Sequence, residues 1–466
     1  MLQDFLENRT FEQIHIGDTA SLERKATQND IELFALVSGD VNPAHLDAEF
    51  AAKAIFGKPV VHGMWLASLA SSVLGTLLPG PGSIGVKQST LFQKPVFPGD
   101  TVTATVTVLE KQDKKRLVRL ETVCTNQDGE TVLKGEATVI APKDSVRVKR
   151  KHMPGIRLRR HDRYDAFIER AKASPTVRAA IVHPCSAVAI QGAVEVRDED
   201  LLDPVLIGPR AKIEAAAAEA GVSLDGFQII ETEHSHAAAE KAVEMAVSGE
   251  VAVLVKGSLH TDELLGAVVA PDSGLRTERR ISHVYAMDIP AYDKPLIVTD
   301  AAVNILPSLD QKRDICQNAV DLMHQLGVEA PLVAVLAAVE TVNDSMPATL
   351  DAAALTVMAA RGQISGARVD GPLAFDNAIS MAAAKTKGIV SPVAGQADIL
   401  LVPDLEAGNM LAKQLIYFAD AIAAGLILGA RVPIVLTSRA DPLTARMASA
   451  ALARLSVGMT YTKSGS

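Results

Sequence analysis

Cysteine is scarce in this chain. Only Cys124, Cys185 and Cys316 occur in 466 residues, odd in number and far apart. No CxxC or Cys/His spacing suggests a zinc site, and no even set suggests a disulfide framework. Aromatic residues make up 4%, which weakens any reading built on base stacking. The net charge of −9 does not favour nucleic acid as a partner. No window approaches the roughly 18 uncharged apolar residues of a membrane span. The start, "MLQDFLENRTFEQIHIGD", is acidic and lacks the apolar centre of a signal peptide. These absences lead us to expect a reducing, cytoplasmic location, with neither membrane nor nucleic acid as partner.

What is present is ordinary globular material: 48% hydrophobic and 22% charged residues. At about 150 residues per domain, the length suggests two to four folding units. Residues 1–142 read as α+β. "GMWLASLASSVLGTLL", 63–78, is apolar nearly all round, which predicts a helix wrapped inside a curved sheet. The runs that follow alternate, are rich in Val and Thr, and turn at Asp128-Gly129. Residues 143–164 are strongly basic and read either as an extended linker or as an attractor of polyphosphate. From 165 to 466 short apolar runs alternate with Ala-rich helical stretches. That predicts an α/β/α architecture of two lobes with a cleft between them.

Two sets of residues carry chemistry. In "SGDVNPAHLDAEFA", Asp40 and His45 flank an Asn42-Pro43 turn signal that can bring the two side chains together. A carboxylate and an imidazole can share the proton transfers that add water to an activated C=C. By spacing alone, a helix cap and a surface His fit as well. In the second region, four loops hold small polar and charged groups. They are Gly257 to Thr261, Asp370 to Asp376, Glu406 to Asn409, and Ser438, Arg439 and Asp441. Small groups at a helix start and an Arg fork suit an anion, although a capped helix start explains each loop separately. No GxGxxG follows "GEVAVLVKG", which sets NAD aside.

The wider context is more specific. The D-x-N-P-x-H-x-D loop, the V-H-G-M helix start and the F-P-G-D turn lie in one order. Over about 130 residues they closely resemble the MaoC-like, (R)-specific enoyl-CoA hydratases of hot-dog fold. That resemblance implies that Asp40 and His45 bind and activate water and that the Gly63 N–H holds the thioester oxygen. It places Asn42 on the substrate side and Ser71 near the catalytic pair, although a plain small residue on a packed helix fits Ser71 as well; His62 reads as a structural side chain fixing the loop. From about 165 to 460, "PDLEAGNMLAK" and "PIVLTSRAD" are similar to phosphate acetyl/butyryltransferases, and look closer to the butyryl branch. That likeness implies that Ser438 and Arg439 stabilise developing charge and that Ser258, His260 and Thr261 line the phosphate or acyl site. Asp376 and Asn409 are expected on the substrate side. The carboxylate that assists thiol deprotonation in the acetyl branch has no counterpart at its spacing after Arg439, and Asp441 reads as a helix cap.

The expectation is a bifunctional acyl-CoA enzyme. It hydrates or dehydrates enoyl-CoA and 3-hydroxyacyl-CoA with (R) stereochemistry, and exchanges acyl groups between CoA and phosphate. No tightly bound cofactor or metal is expected, with CoA and inorganic phosphate as substrates. A homo-oligomer is expected. Two alternatives stay open: one half is a silent oligomerisation or CoA-binding module, or the hydratase half takes acyl carrier protein substrates.

Overall fold

The computed structural model describes residues 4–151, 162–436, 441–459 and 461. Two compact units emerge, Met1–Leu158 and Arg159–Ser466.

The first unit contains strands β1 (Phe5–Glu7), β2 (Thr19–Lys25), β3 (Ile84–Phe92), β4 (Thr101–Gln112), β5 (Leu117–Thr125), β6 (Thr131–Ile140) and β7 (Arg147–Lys149). Its helices are α1 (Gln28–Ser38), α2 (Pro43–Leu46), α3 (Ala48–Lys53) and α4 (Gly63–Thr76). Five strands form an antiparallel sheet in the order β2-β4-β5-β6-β3. The Val/Thr alternation does what a half-buried strand requires. Val102, Ala104, Val106 and Val108 of β4, with Val118, Leu120 and Cys124 of β5, point inward. They join Trp65, Leu66, Leu69 and Val73 of α4 in one core. A helix held by a curved sheet is the hot-dog arrangement expected from the sequence. The Asp128-Gly129 signal sits in a five-residue loop, 126–130, closed by an Asn126–Glu130 backbone bond, with Gly129 at φ +76°.

The stretch 143–164 departs from the linker expectation at both ends. Strand β7 pairs antiparallel with β1, so the first unit runs on past residue 142. The Asn8 side chain secures this return by donating to Asp144 O at 3.0 Å and accepting from Val146 N at 2.8 Å. At the far end, Asp162 already begins α5 of the second unit.

The second unit has strands β8 (Arg178–Val182), β9 (Asp203–Gly208), β10 (Gln228–Glu231), β11 (Val253–Lys256), β12 (Ser282–Asp288), β13 (Leu296–Thr299), β14 (Leu332–Leu336), β15 (Arg368–Leu373), β16 (Ile399–Leu401), β17 (Ile422–Leu428) and β18 (Ile434–Val435). Helices on its faces are α5 (Asp162–Lys172), α6 (Ala187–Asp198), α7 (Arg210–Ala220), α8 (Ser235–Ser248), α9 (Thr261–Val269), α10 (Leu309–Gln325), α11 (Pro347–Ala360), α12 (Phe375–Ile379), α13 (Met381–Thr386), α14 (Leu405–Phe418) and α15 (Leu443–Ser456). The strands form one 11-stranded sheet, β10-β9-β8-β11-β18-β17-β12-β13-β16-β14-β15. The two expected lobes are its two wings, β10 to β18 and β13 to β15, each internally parallel.

Between the wings, β17 and β12 run antiparallel to their neighbours. The reason is connection length. Only residues 289–295 join β12 to β13 and only 429–433 join β17 to β18, too few for a parallel crossover. The two wings therefore point their strands in opposite directions. One expected loop is a strand instead: Asp370 and Gly371 lie in β15. It is the edge strand, where Pro372 needs no ladder donor.

Candidate functional site

In the first unit the chemistry begins where α1 stops. Gly39 takes a left-handed φ of +75° and its N–H closes the helix on Ala35 O. Three residues on, Asn42 starts α2. Its side-chain oxygen accepts from Ala44 N at 3.0 Å, with Pro43 at the first helical position. Asn42, expected at the substrate, is thus engaged as a helix cap. This one-turn helix carries His45 back toward Asp40, and His45 Nε2 lies 4.0 Å from Asp40 Oδ2.

The His45 tautomer follows from its other nitrogen. Nδ1 lies 2.7 Å from Val60 O, a carbonyl that can only accept, so Nδ1 carries the proton. Nε2 then presents a lone pair toward Asp40. A gap of 4.0 Å suits a water hydrogen-bonded to both groups. His62 completes the cluster. It is 1% exposed, its ring centroid is 3.8 Å from that of His45, and Nε2 donates to the Asp40 backbone oxygen at 3.0 Å. Burial lowers its pKa, opposed by the bond to Asp40 O, so the ring is held neutral. The expected role for His62, fixing the loop, matches this geometry.

Ligand-type atoms of Asp40, His45 and His62 lie within 4.8 Å of one another, a grouping that a metal ion could in principle use. Tetrahedral zinc, with bonds of about 2.1 Å, needs ligands about 3.4 Å apart. The Asp40–His45 gap is wider, and His62 Nε2 is already engaged with a carbonyl. The cluster fits a water better than a metal.

Gly63 opens α4 directly after His62, and no side chain caps that helix start. An uncapped N-terminus presents N–H groups to an incoming oxygen. A Cβ at Gly63 would meet the tip of the half-exposed Phe92 ring at 2.9 Å, so glycine leaves room for that ring beside the helix start. Asp40, His45 and Gly63 therefore gather around one loop and one helix start. Ser71 does not join them. It lies two turns along α4 and lines a separate cavity of about 340 Å3 with Lys87 and Gln88. Among the described residues, no hydrogen bond links Ser71 to Asp40 or His45.

In the second unit, Ser438 and Arg439 lie outside the described residues. The Ser258 loop is described in full. Gly257 leaves β11 so close to β8 that a Cβ would meet Val182 O at 2.4 Å. Ser258 N donates to His183 O at 2.9 Å, and Ser258 Oγ pairs with Ser186 Oγ at 2.7 Å. Ser186 caps α6, and the exposed His260 precedes Thr261 at the start of α9 without a side-chain cap. Nearby, Ser186, Lys256 and Arg446 line a cavity of about 50 Å3. Arg446 is already paired with Glu195 at 2.7 Å, so the two hydroxyls, Lys256 and two helix starts are the groups that can hold an anion here. Sequence reasoning missed Ser186 and His183. Their signals were a helix-cap serine after a strand and, at His183, a left-handed φ of +55° that only the structure reveals.

Asp376 and Asn409 are not brought to this loop. They follow β15 and β16, which run opposite to β11 and β18. Asp376 is exposed on α12, and Asn409 Nδ2 donates to Ala301 O at 3.2 Å, tying α14 to the loop after β13. Asp441 is not the expected cap, because Pro442 holds that position before α15. Burial raises the Tyr285 phenol, and the Asp441 carboxylate adds to the rise.

One chain thus carries two enzyme units, an acyltransferase and a hydratase-type domain. Residues 235–454 match the family described as phosphate acetyl/butaryl transferase, and residues 13–128 match the MaoC like domain. The chain is 56% identical over 295 residues to the phosphate acetyltransferase of Rickettsia prowazekii, covering 63% of this chain and 84% of that one. With the phosphate butyryltransferase of Clostridium acetobutylicum it shares 38% over 295 residues, covering 63% and 98%. The crystal structure of a branched-chain phosphotransacylase from Enterococcus faecalis superimposes with a TM-score of 0.55 at 29% identity, covering 61% of this chain and 100% of that one. The chain belongs to the phosphate acetyl/butyryltransferase family and carries a MaoC-like domain ahead of it. The leaning toward the butyryl branch is not supported by these identities, since the acetyltransferase is the more similar of the two.

Proposed function

We propose that the first unit adds water to an enoyl-CoA with (R) stereochemistry and that the second exchanges acyl groups between CoA and inorganic phosphate. The hydratase reading rests on the Asp40–His45 pair, 4.0 Å apart with the His45 tautomer set by Val60 O. A water between them loses a proton to His45 Nε2 as its oxygen bonds to C3 of the enoyl chain. The C2=C3 electron pair shifts to give an enolate, whose oxygen meets the Gly63 N–H at the uncapped start of α4. The imidazolium then returns a proton to C2, while Asp40 orients the water and offsets the positive charge. One water is added across one double bond, and no cofactor is consumed.

In the second unit, the thiolate of CoA attacks the carbonyl of an acyl phosphate and phosphate leaves. The reverse direction makes acyl phosphate. Ser258, Ser186 and the helix starts around them are the described groups placed to hold the phosphate. Ser438 and Arg439 are assigned to charge stabilisation on the strength of the family motif.

The test follows the loss of crotonyl-CoA absorbance with wild type, Asp40→Asn and His45→Gln. Each variant is expected to lose at least about a hundredfold in rate. Acyl transfer from butyryl-CoA to phosphate in the same preparations should stay at the wild-type level. Full hydration activity in both variants would refute the hydratase assignment.

A further inference from the structure

The largest core of the second unit is incomplete at one edge. A cavity of about 350 Å3 opens there between α5, the central strands β12 and β17, and the end of α10. Its walls are apolar and include Phe167, Met323, Leu326 and Ile422. Ala424 of β17 and Ala448 of α15 are among its small lining residues. The cavity opens to the surface, and its volume falls in the range of ligand pockets.

The mouth is charged. Arg163 pairs with Asp288 at 2.6 Å and Lys294 pairs with Asp398 at 2.6 Å. Arg170 makes the difference. It is exposed at the rim, its Nη1 donates to Leu326 O at 2.7 Å, and it forms no ion pair with a carboxylate among the described residues. Among the described residues that line it, three cations face two carboxylates, which leaves one positive charge in excess over an apolar interior.

We propose that this cavity binds an unbranched aliphatic monocarboxylate of about six to eight carbons, chain inward and carboxylate on Arg170. The volume holds on the order of ten groups of water size, at about 30 Å3 each, which matches such a chain. The ligand class follows from the arrangement: the walls offer few polar groups to bond a sugar or nucleotide, and the single excess charge matches one carboxylate. The site stands apart from the Ser258 loop, none of whose residues line it.

The experiment uses the full chain labelled with 13C-methyl methionine, because Met323 and Met287 both line the cavity. Met323→Leu identifies the Met323 methyl signal. Octanoate is the probe, with 1-octanol as the uncharged control. Saturable movement of the Met323 signal by octanoate is expected. Arg170→Gln, at the exposed rim, should weaken octanoate at least about tenfold and leave 1-octanol within twofold, as loss of a charged hydrogen bond predicts. Ala448→Leu, which fills the cavity, should abolish both responses. An unmoved Met323 signal at saturating octanoate overturns the site. Equal octanoate affinity in wild type and Arg170→Gln overturns the monocarboxylate assignment.

Discussion

His62 Nε2 donates to the backbone oxygen of Asp40 at 3.0 Å, across 22 residues of chain. The same ring stacks on His45. One buried side chain thereby sets the backbone of the carboxylate and the plane of the imidazole, without itself needing to touch substrate. His62→Phe keeps an aromatic ring and deletes the donor. Hydration kcat is expected to fall about tenfold while KM changes less than twofold, with the melting temperature of the protein near wild type. His62→Gln, which can still donate to Asp40 O, should recover part of kcat. A matching collapse of kcat and melting temperature in both variants would mark His62 as merely structural.

Gly63 stands against Phe92. Gly63→Ala places a Cβ 2.9 Å from the tip of that half-exposed ring, so the ring must turn aside. Because the ring lies at the surface, the cost is expected at the low end of overpacking, about 1 kcal/mol. Urea unfolding followed at Trp65, in the α4 core, should show the loss. Adding Phe92→Leu should return at least half of it, a coupling that two independent substitutions would not show.

Asp300 is the most deeply buried carboxylate among the described residues of the second unit. It is 2% exposed and accepts five hydrogen bonds, from the backbone N–H groups of His283, Ala302, Val303 and Asn304 and from Asn304 Nδ2. Asp300→Asn turns one acceptor oxygen into a donor facing other donors. A destabilisation of about 3–5 kcal/mol is expected, with acyl transfer lost as the loop after β13 reorders. Asp376→Asn, at an exposed position, should stay within about 0.5 kcal/mol. Denaturant midpoints of the two variants decide the point.

Stability should also depend on pH through His283. Burial pushes its pKa down to about 4, and Asp300 opposes that shift without cancelling it. The unfolded histidine takes its proton near pH 6.5, whereas the folded one takes it only near 4. Between those values the unfolded chain binds more protons, so stability falls as pH drops from 6.5 toward 4. The loss is on the order of 3 kcal/mol at the acid end. His283→Gln should flatten that part of the stability–pH curve. An unchanged slope in the variant would assign it to other groups.

Much of the first site was legible because its determinants are local. Gly39 ends a helix, Asn42-Pro43 starts another, and Asp40, His45 and Gly63 fall within 24 residues of sequence. The Val/Thr alternation of β4 and β5 likewise states which face is buried. Asn42 and Ser71 were harder. An asparagine that caps and one that binds substrate have the same neighbours in sequence, and a serine on a packed helix does not reveal which cavity it lines.

The second unit shows the limit more sharply. β17 and β15 carry weak strand patterns, the one because small residues dilute "IAAGLIL", the other because Gly371-Pro372 reads as a loop. Strand direction escaped as well, since an apolar run has the same pattern either way. Direction nevertheless decides which loops share an edge, and it separates Asp376 and Asn409 from Ser258.

The sequence by itself determined the two classes of unit, their order, and the loop that carries Asp40 and His45, because periodicity and turn chemistry act over a few residues. Tertiary structure alone decided the His62 bond to Asp40, the five donors around Asp300, the antiparallel centre of the large sheet, and the cavity beside Arg170. Each depends on groups far apart in the chain meeting at hydrogen-bond or van der Waals distance, and no local pattern encodes that meeting.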